Sequence, residues 1–274
     1  MHRSRLIKAT WTVILGASLL LGSLGYANER HFTYTYETAT LPQGEVEFEP
    51  WTTIKFGRND YYARFDQQLE FEFGITDNLQ MAWYIVYSAY AQDITDPTTN
   101  VTTVEKAWKM PGIKSEWKYK LSDPVADGIG SALYLELVGK PHEFEVEAKV
   151  LLDKKVGKWF VAFNAVAEAE WENEGDEVGK KLVLEADLGI AYQPFPGFSV
   201  GVEVRNVNVL ADMKDFEKSI LYAGPVVSYA TDKWWVATTI LPQVYAIKGA
   251  SDNSLLDLEG HERVETRVLF GIHL

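Results

Sequence analysis

From residue 45 onward the chain alternates. In Glu45–Phe56, Val46, Phe48, Ile54 and Phe56 fall on one side, and Glu45, Glu47, Glu49 and Lys55 on the other. Successive side chains of a strand point to opposite faces, so this is a ribbon with one apolar and one charged face. The rhythm returns in Tyr61–Ile75, where Phe65, Leu69, Phe71 and Phe73 oppose Arg64, Asp66, Gln68, Glu70 and Glu72. It returns again in Leu79–Tyr90, Ile113–Leu121 (Lys114, Glu116, Lys118 and Lys120 on the polar side), Ile129–Val138 and Glu143–Leu152 (Glu143, Glu145, Glu147 and Lys149). Trp159–Glu172 (Glu168, Glu170), Leu182–Gln193 (Glu185, Asp187), Phe198–Asn206 and His261–Leu274 (Arg263, Glu265, Arg267) continue it. Ile220–Ala230 and Trp234–Val244 are apolar on both faces, so their inward side is open. The total is about twelve strands, and no helical apolar period follows residue 27.

The connections alternate too. The longest follow the third, seventh, ninth and eleventh strands, and the tightest are Thr76–Asn78, Pro194–Gly197 and Thr231–Lys233. Short turns on one side and long loops on the other characterise outer-membrane barrels. A sandwich that buries its apolar faces against each other also produces alternation. Three features favour a barrel facing lipid. Trp83, Tyr87, Trp117, Tyr119, Trp159, Trp171, Tyr192 and Trp234 sit near strand ends, as interfacial girdles require. No helix is available to cover an open sheet edge, and closure removes the edge. The chain also ends inside an alternating apolar strand, though on Leu274 where outer-membrane barrels usually end on an aromatic. The expected fold is therefore an all-β, closed antiparallel transmembrane β-barrel.

Residues 1–27 read as a secretory signal peptide: Arg3, Arg5 and Lys8, then a short apolar stretch, then Gly25-Tyr26-Ala27 before the cut. The expected organisation is signal peptide 1–27 and barrel domain 28–274, exported to the cell outer membrane. Pro50 strains the first strand, because proline removes a ladder donor. It suggests that Phe32–Glu37 is a small extra β segment that moves the strand count by one or two.

The absence of cysteine excludes a disulfide framework and a thiol nucleophile. A net charge of -13 argues against nucleic acid as a partner. Expected partners are outer-membrane lipid and lipopolysaccharide, periplasmic chaperones and the barrel-assembly machinery. The five histidines are scattered, no Gly-rich phosphate loop occurs, and no cofactor or metal site is expected. Loop acids Asp93, Asp96, Glu174, Asp176 and Glu177 lack a calcium-ligand spacing. Ser251, Ser254, Asp257 and His261 share one loop, which is weak ground for hydrolysis, and no enzyme is expected.

Several stretches carry a resemblance: Phe32–Thr53, then Phe73-Gly74-Ile75-Thr76-Asp77-Asn78-Leu79-Gln80, Ala223-Gly224-Pro225, Trp234-Trp235 and Leu241-Pro242-Gln243. They resemble poorly characterised Gram-negative outer-membrane barrels regarded as transporters, akin to the phenol-degradation MetA-pathway group. What the resemblance implies is a barrel with transport; it transfers no functional residue.

In such a barrel the charged face lines the lumen. The candidate lining residues are Glu45, Glu47, Glu49, Arg64, Glu70, Glu72, Lys114, Lys118, Glu145, Glu147, Glu168, Glu170, Glu185, Arg263 and Arg267. Two uses compete. A narrow acidic bore would pass ions or small solutes in porin-like fashion and favour cations, with inward Trp51, Tyr62, Tyr84 and Tyr134 as stacking surfaces for a ring-bearing solute. An interlocked ion network would instead close the interior and leave a structural or surface-interaction barrel. A lipid-active barrel enzyme is the third reading. Closure also suggests that Arg263 and Arg267 face Glu45–Glu49 across the seam.

Overall fold

A computed structural model describes residues 30–173, 175 and 177–274. The expected signal peptide lies outside the described residues, as do loop acids Glu174 and Asp176. Twelve antiparallel strands pair in chain order, and β1 closes on β12. They are β1 (Val46–Phe56), β2 (Tyr62–Thr76), β3 (Leu79–Thr95), β4 (Thr102–Ser122), β5 (Gly130–Lys140) and β6 (Glu143–Val156). The second half comprises β7 (Trp159–Asn173), β8 (Val178–Phe195), β9 (Phe198–Ala211), β10 (Asp215–Ala230), β11 (Trp234–Lys248) and β12 (Val264–His273).

The apolar face looks outward. Ile85, Ile113, Leu133, Val150, Val202 and Ile240 are exposed, while Glu47, Glu70, Glu116 and Glu203 are fully buried. In water this would be inverted; against hydrocarbon it places apolar side chains in lipid and leaves no open edge. Outward aromatics ring the short-turn end, with Trp159 against Tyr192 (4.9 Å between ring centres), Tyr229 against Trp234 (5.7 Å) and Trp234 against Phe270 (5.8 Å).

The strands reach further than alternation indicates. Residues 91–112, read as a loop, carry β3 to Thr95 and β4 back from Thr102. Ile94, Val104 and Trp108 stand exposed there among polar neighbours, so pairing persists without a sustained apolar stripe to announce it. Likewise β9 and β10 extend into the 207–219 connection. Pro50 does not split β1. It points outward, and the β1–β12 ladder skips Glu49 and Pro50 and resumes at Trp51 with Leu269. The two undecided strands turn Tyr222, Val226 and Ser228 inward from β10, and Trp235, Ala237, Thr239 and Leu241 inward from β11.

Phe32–Glu37 is not a thirteenth strand. Residues 30–41 carry no ladder and run inside the barrel, with Phe32, Thr33, Tyr34, Thr35, Tyr36 and Leu41 buried.

Candidate functional site

The site is the lumen together with the segment that fills it. A backbone withdrawn from water needs partners for its N–H and C=O groups. Here lumen side chains supply them in place of a neighbouring strand. The Glu203 carboxylate accepts the N–H of Thr33 (3.1 Å), Tyr34 (2.8 Å) and Thr35 (2.9 Å), so the segment turns about that one group. Asn164 clasps Tyr36 on both sides: Oδ1 accepts its N–H at 2.6 Å and Nδ2 donates to its C=O at 2.9 Å. Asp153 accepts the Thr38 N–H and hydroxyl at 2.9 and 2.7 Å, and Gln80 accepts the Leu41 N–H at 2.9 Å. Arg267 donates to the Thr33 carbonyl at 3.3 Å.

Three aromatics spaced two apart enter three separate apolar seats. Phe32 packs with Ala162, Ala191 and Val226; Tyr34 with Ile220, Tyr222 and Leu241; Tyr36 with Trp51, Tyr134 and Trp235. Small lumen residues make the room. A Cβ on Gly189 would lie 2.6 Å from the Phe32 ring, and one on Gly74 1.9 Å from the Pro42 carbonyl. The wall is thus shaped to the segment. Tyr34 donates its hydroxyl to Glu265 at 2.9 Å, with the guanidiniums of Arg267 and Arg205 at 3.7 and 4.1 Å from its ring centre. Arg30 lies over Tyr36 (4.2 Å) and Trp51 (4.9 Å).

Glu47, Glu49, Glu70, Glu72, Lys118 and Glu145 are buried in the lumen, and Arg64, Lys114, Glu147, Glu168, Glu170, Glu185 and Arg267 are half-buried there. Glu45 and Arg263 are exposed and fall just outside β1 and β12. The seam differs from expectation. Antiparallel pairing sets Arg267 opposite Thr53, to which it donates at 2.9 Å, and sets His273 opposite Glu47, with Nδ1 2.6 Å from a carboxylate oxygen. Arg263 lies beside Gly57. The direction of the last strand, not the attraction of opposite charges, decides the partner.

Two mixed networks dominate the remaining charge. Arg205 reaches Glu185 (2.8 Å), Glu265 (3.0 Å) and Asp187 (3.6 Å). Lys114 holds Glu136 (2.9 Å), Lys149 holds Glu147 (2.9 Å) and Lys140 holds Glu145 (2.5 Å). The four aromatics proposed as stacking surfaces divide. Trp51, Tyr84 and Tyr134 form one cluster, and Tyr36 stands 5.2 Å from Tyr134 within it. Tyr62 instead packs under Arg58 at the loop end.

The acceptors that hold the segment, Glu203, Asn164, Asp153 and Gln80, were absent from the candidate list. Their signal was available: each is a lone acceptor at an inward position of an otherwise apolar or paired stretch. In the 249–263 loop, Asp257 receives His261 Nδ1 at 2.7 Å and Lys218 Nζ at 2.8 Å. Ser251 Oγ accepts the Leu258 N–H (2.8 Å) and Ser254 Oγ the Leu256 N–H (3.0 Å), so both serines act as loop fasteners.

A family model described as a family of unknown function, DUF6662, matches residues 24–145 and 167–274. Among curated proteins, none matches in sequence. Among solved structures, the COG4313 outer membrane channel from Pseudomonas putida F1 is 11% identical. Its superposition has a TM-score of 0.63 and covers 89% of this chain and 100% of that one. The NanC porin is 11% identical at a TM-score of 0.49, covering 83% of this chain and 100% of its own. LpxR from Salmonella typhimurium is 10% identical at 0.47, covering 82% and 99%. The first likeness establishes the outer-membrane barrel fold; the other two fall below the level that carries an argument.

Proposed function

This chain belongs to the DUF6662 family, which has no assigned activity, and from its own geometry we propose an outer-membrane channel held shut by its N-terminal segment. Ions or small solutes pass when that segment leaves the bore. One observation carries the reading: residues 30–41 are seated wholly on side-chain contacts and belong to no strand ladder. They can therefore leave without unzipping a strand pair. The likeness to an outer membrane channel supports passage as the purpose of the bore. Kinship with the MetA-pathway barrels is part of the same proposal and rests on the quoted sequence stretches.

By the usual orientation, short turns lie at the periplasmic side. The segment enters there, since Thr40 bonds the Asp77 carbonyl in the β2–β3 turn. Tyr36 occupies the stacking cluster, so a ring-bearing solute would compete with it for that seat. Toward the loop end, Glu145, Glu147, Glu168 and Glu170 give the mouth a cation preference.

The test is conductance in planar bilayers, comparing the full chain with one lacking residues 30–41. The full chain is expected to be closed or to open briefly, and the shortened chain to conduct steadily with cation preference. Reversing the four mouth glutamates should lower that preference. A shortened barrel that is folded, by heat-modified gel mobility, yet never conducts would overturn the proposal. It would favour the second reading, a closed barrel that works through its outer loops, which the dense lumen ion pairing supports. We take the chain to be non-enzymatic, the loop serines being engaged by backbone N–H groups.

A further inference from the structure

One sector of the lumen wall carries acids in excess of bases. Glu47 faces Glu72 directly across β1–β2, and Glu49 faces Glu70. Like charges directly opposite each other destabilise a sheet. One strand further, Ala82 of β3 stands between Glu72 and Glu116, and its small side chain leaves space for those two carboxylates to meet. All five glutamates are buried to within 2%. Their ligand atoms form two trios, Glu47–Glu49–Glu72 and Glu70–Glu72–Glu116, each gathered within 4.8 Å, with Glu72 common to both.

Hydrogen bonding does not account for this convergence. Glu70 is wholly buried, and neither of its carboxylate oxygens receives a hydrogen bond; Glu49 Oε1 and Glu116 Oε1 are equally bare. A buried carboxylate oxygen without a donor is costly, so it marks a missing positive partner. Arg30 approaches Glu49 at 3.8 Å, His273 holds Glu47 and Lys118 lines the same sector, so among the described residues five carboxylates stand against these three basic groups. Further round the wall, Glu136 and Glu147 each have a lysine within 3 Å. The shortage is local to the β1–β4 sector.

We propose that this sector binds a hard divalent cation, calcium being the best match, with Glu70, Glu72 and Glu116 as its core ligands and Glu47 and Glu49 completing the shell. An all-carboxylate donor set selects hard cations over the softer transition metals, and flexible glutamates suit the irregular six to eight oxygens of calcium better than the strict octahedron of magnesium. Two positive charges leave the sector close to neutral. Glu47 is the second residue of β1, so the ion enters from the short-turn mouth.

The proposal does not depend on conduction and is tested on the folded full-length protein in detergent after chelator dialysis. Terbium is the first probe, because Trp51 donates its ring N–H to Glu49 at 2.9 Å and sits close enough to sensitise it. Expected are a Trp-sensitised terbium signal that calcium displaces and a calorimetric calcium isotherm. Glu72→Gln, which strikes both trios, should weaken calcium at least tenfold. Glu70→Gln should also weaken it, and Glu147→Gln, in the lysine-paired stretch, should not. Heat-modified mobility checks each fold, and Glu70→Gln carries the test should Glu72→Gln not assemble. Absence of calcium-displaceable signal in the parent would overturn the site and assign the cluster to shared protons. Equal weakening by Glu147→Gln would reduce it to a diffuse acid lumen.

Discussion

Glu203→Gln is the sharpest probe of the seated segment. It keeps the shape of the side chain and removes its charge. Three backbone N–H groups converge on that carboxylate at 2.8 to 3.1 Å. Hydrogen bonds to a charged acceptor are worth about 1.5–3 kcal/mol each, against about 0.5–1.5 for neutral pairs. The change therefore costs about 1 kcal/mol per bond, or about 3 kcal/mol for the three. At 1.4 kcal/mol per tenfold, that is roughly a hundredfold rise in the unseated fraction. The assay uses the absence of native cysteine. Thr35→Cys places one thiol at a position only 1% exposed when seated. Maleimide labelling then proceeds through the unseated state, so its rate reports that population. The expected rate in Glu203→Gln is about a hundred times the parent's, with Glu170→Gln as the unaffected control. A parent thiol that reacts like a free one, or a rate unmoved by Glu203→Gln, would refute the seating argument.

Gly189→Ala forces a Cβ into the Phe32 ring and should cost about 1–3 kcal/mol of seating. Phe32→Leu in the same chain should recover most of it, and labelling of the same thiol measures both. In the 249–263 loop, burial lowers the His261 pKa below its ordinary 6.5, and the hydrogen bond to Asp257 offsets this only in part. The folded loop therefore favours neutral His261. That stability is complete above 6.5 and is lost as pH falls through the lower folded value; an imidazole NMR titration with its midpoint at or above 6.5 would contradict the assignment. Burial would raise Asp257, but hydrogen bonds from Lys218 and His261 outweigh it and hold the carboxyl below 3.8. Finally, Glu47→Gln and Arg267→Gln should be additive in unfolding free energy within about 0.5 kcal/mol. Glu47→Gln with His273→Gln should couple by about 1 kcal/mol, and a coupled Glu47–Arg267 pair would mean that the seam register is misplaced.

Alternation exposed the barrel because lipid on one side and charge on the other impose a strict period of two. It could not expose the extension of the β3–β4 hairpin, where Ile94, Val104 and Trp108 are scattered among polar residues and no sustained apolar stripe marks the period. It also left β10 and β11 undecided, since their inward positions face the apolar rings of Tyr34 and Tyr36 rather than water. Phe32–Glu37 showed a strand-like pattern for a related reason. Its aromatics alternate to reach three seats in the wall, and a pattern read along one chain does not distinguish a strand's neighbour from a barrel's interior. The lining residues were legible as a face; which of them hold the segment depends on contacts between residues far apart in sequence.

Those separations set an order of events. The lumen side chains that bond the backbone of residues 30–41 come from β3, β6, β7, β9 and β12, at sequence distances of 39 for Gln80 and 234 for Arg267. No such cradle exists until the ring of strands has closed. Residues 30–41 must therefore wait for β12, the last strand of the ring, before Tyr34 and Thr33 can find Glu265 and Arg267.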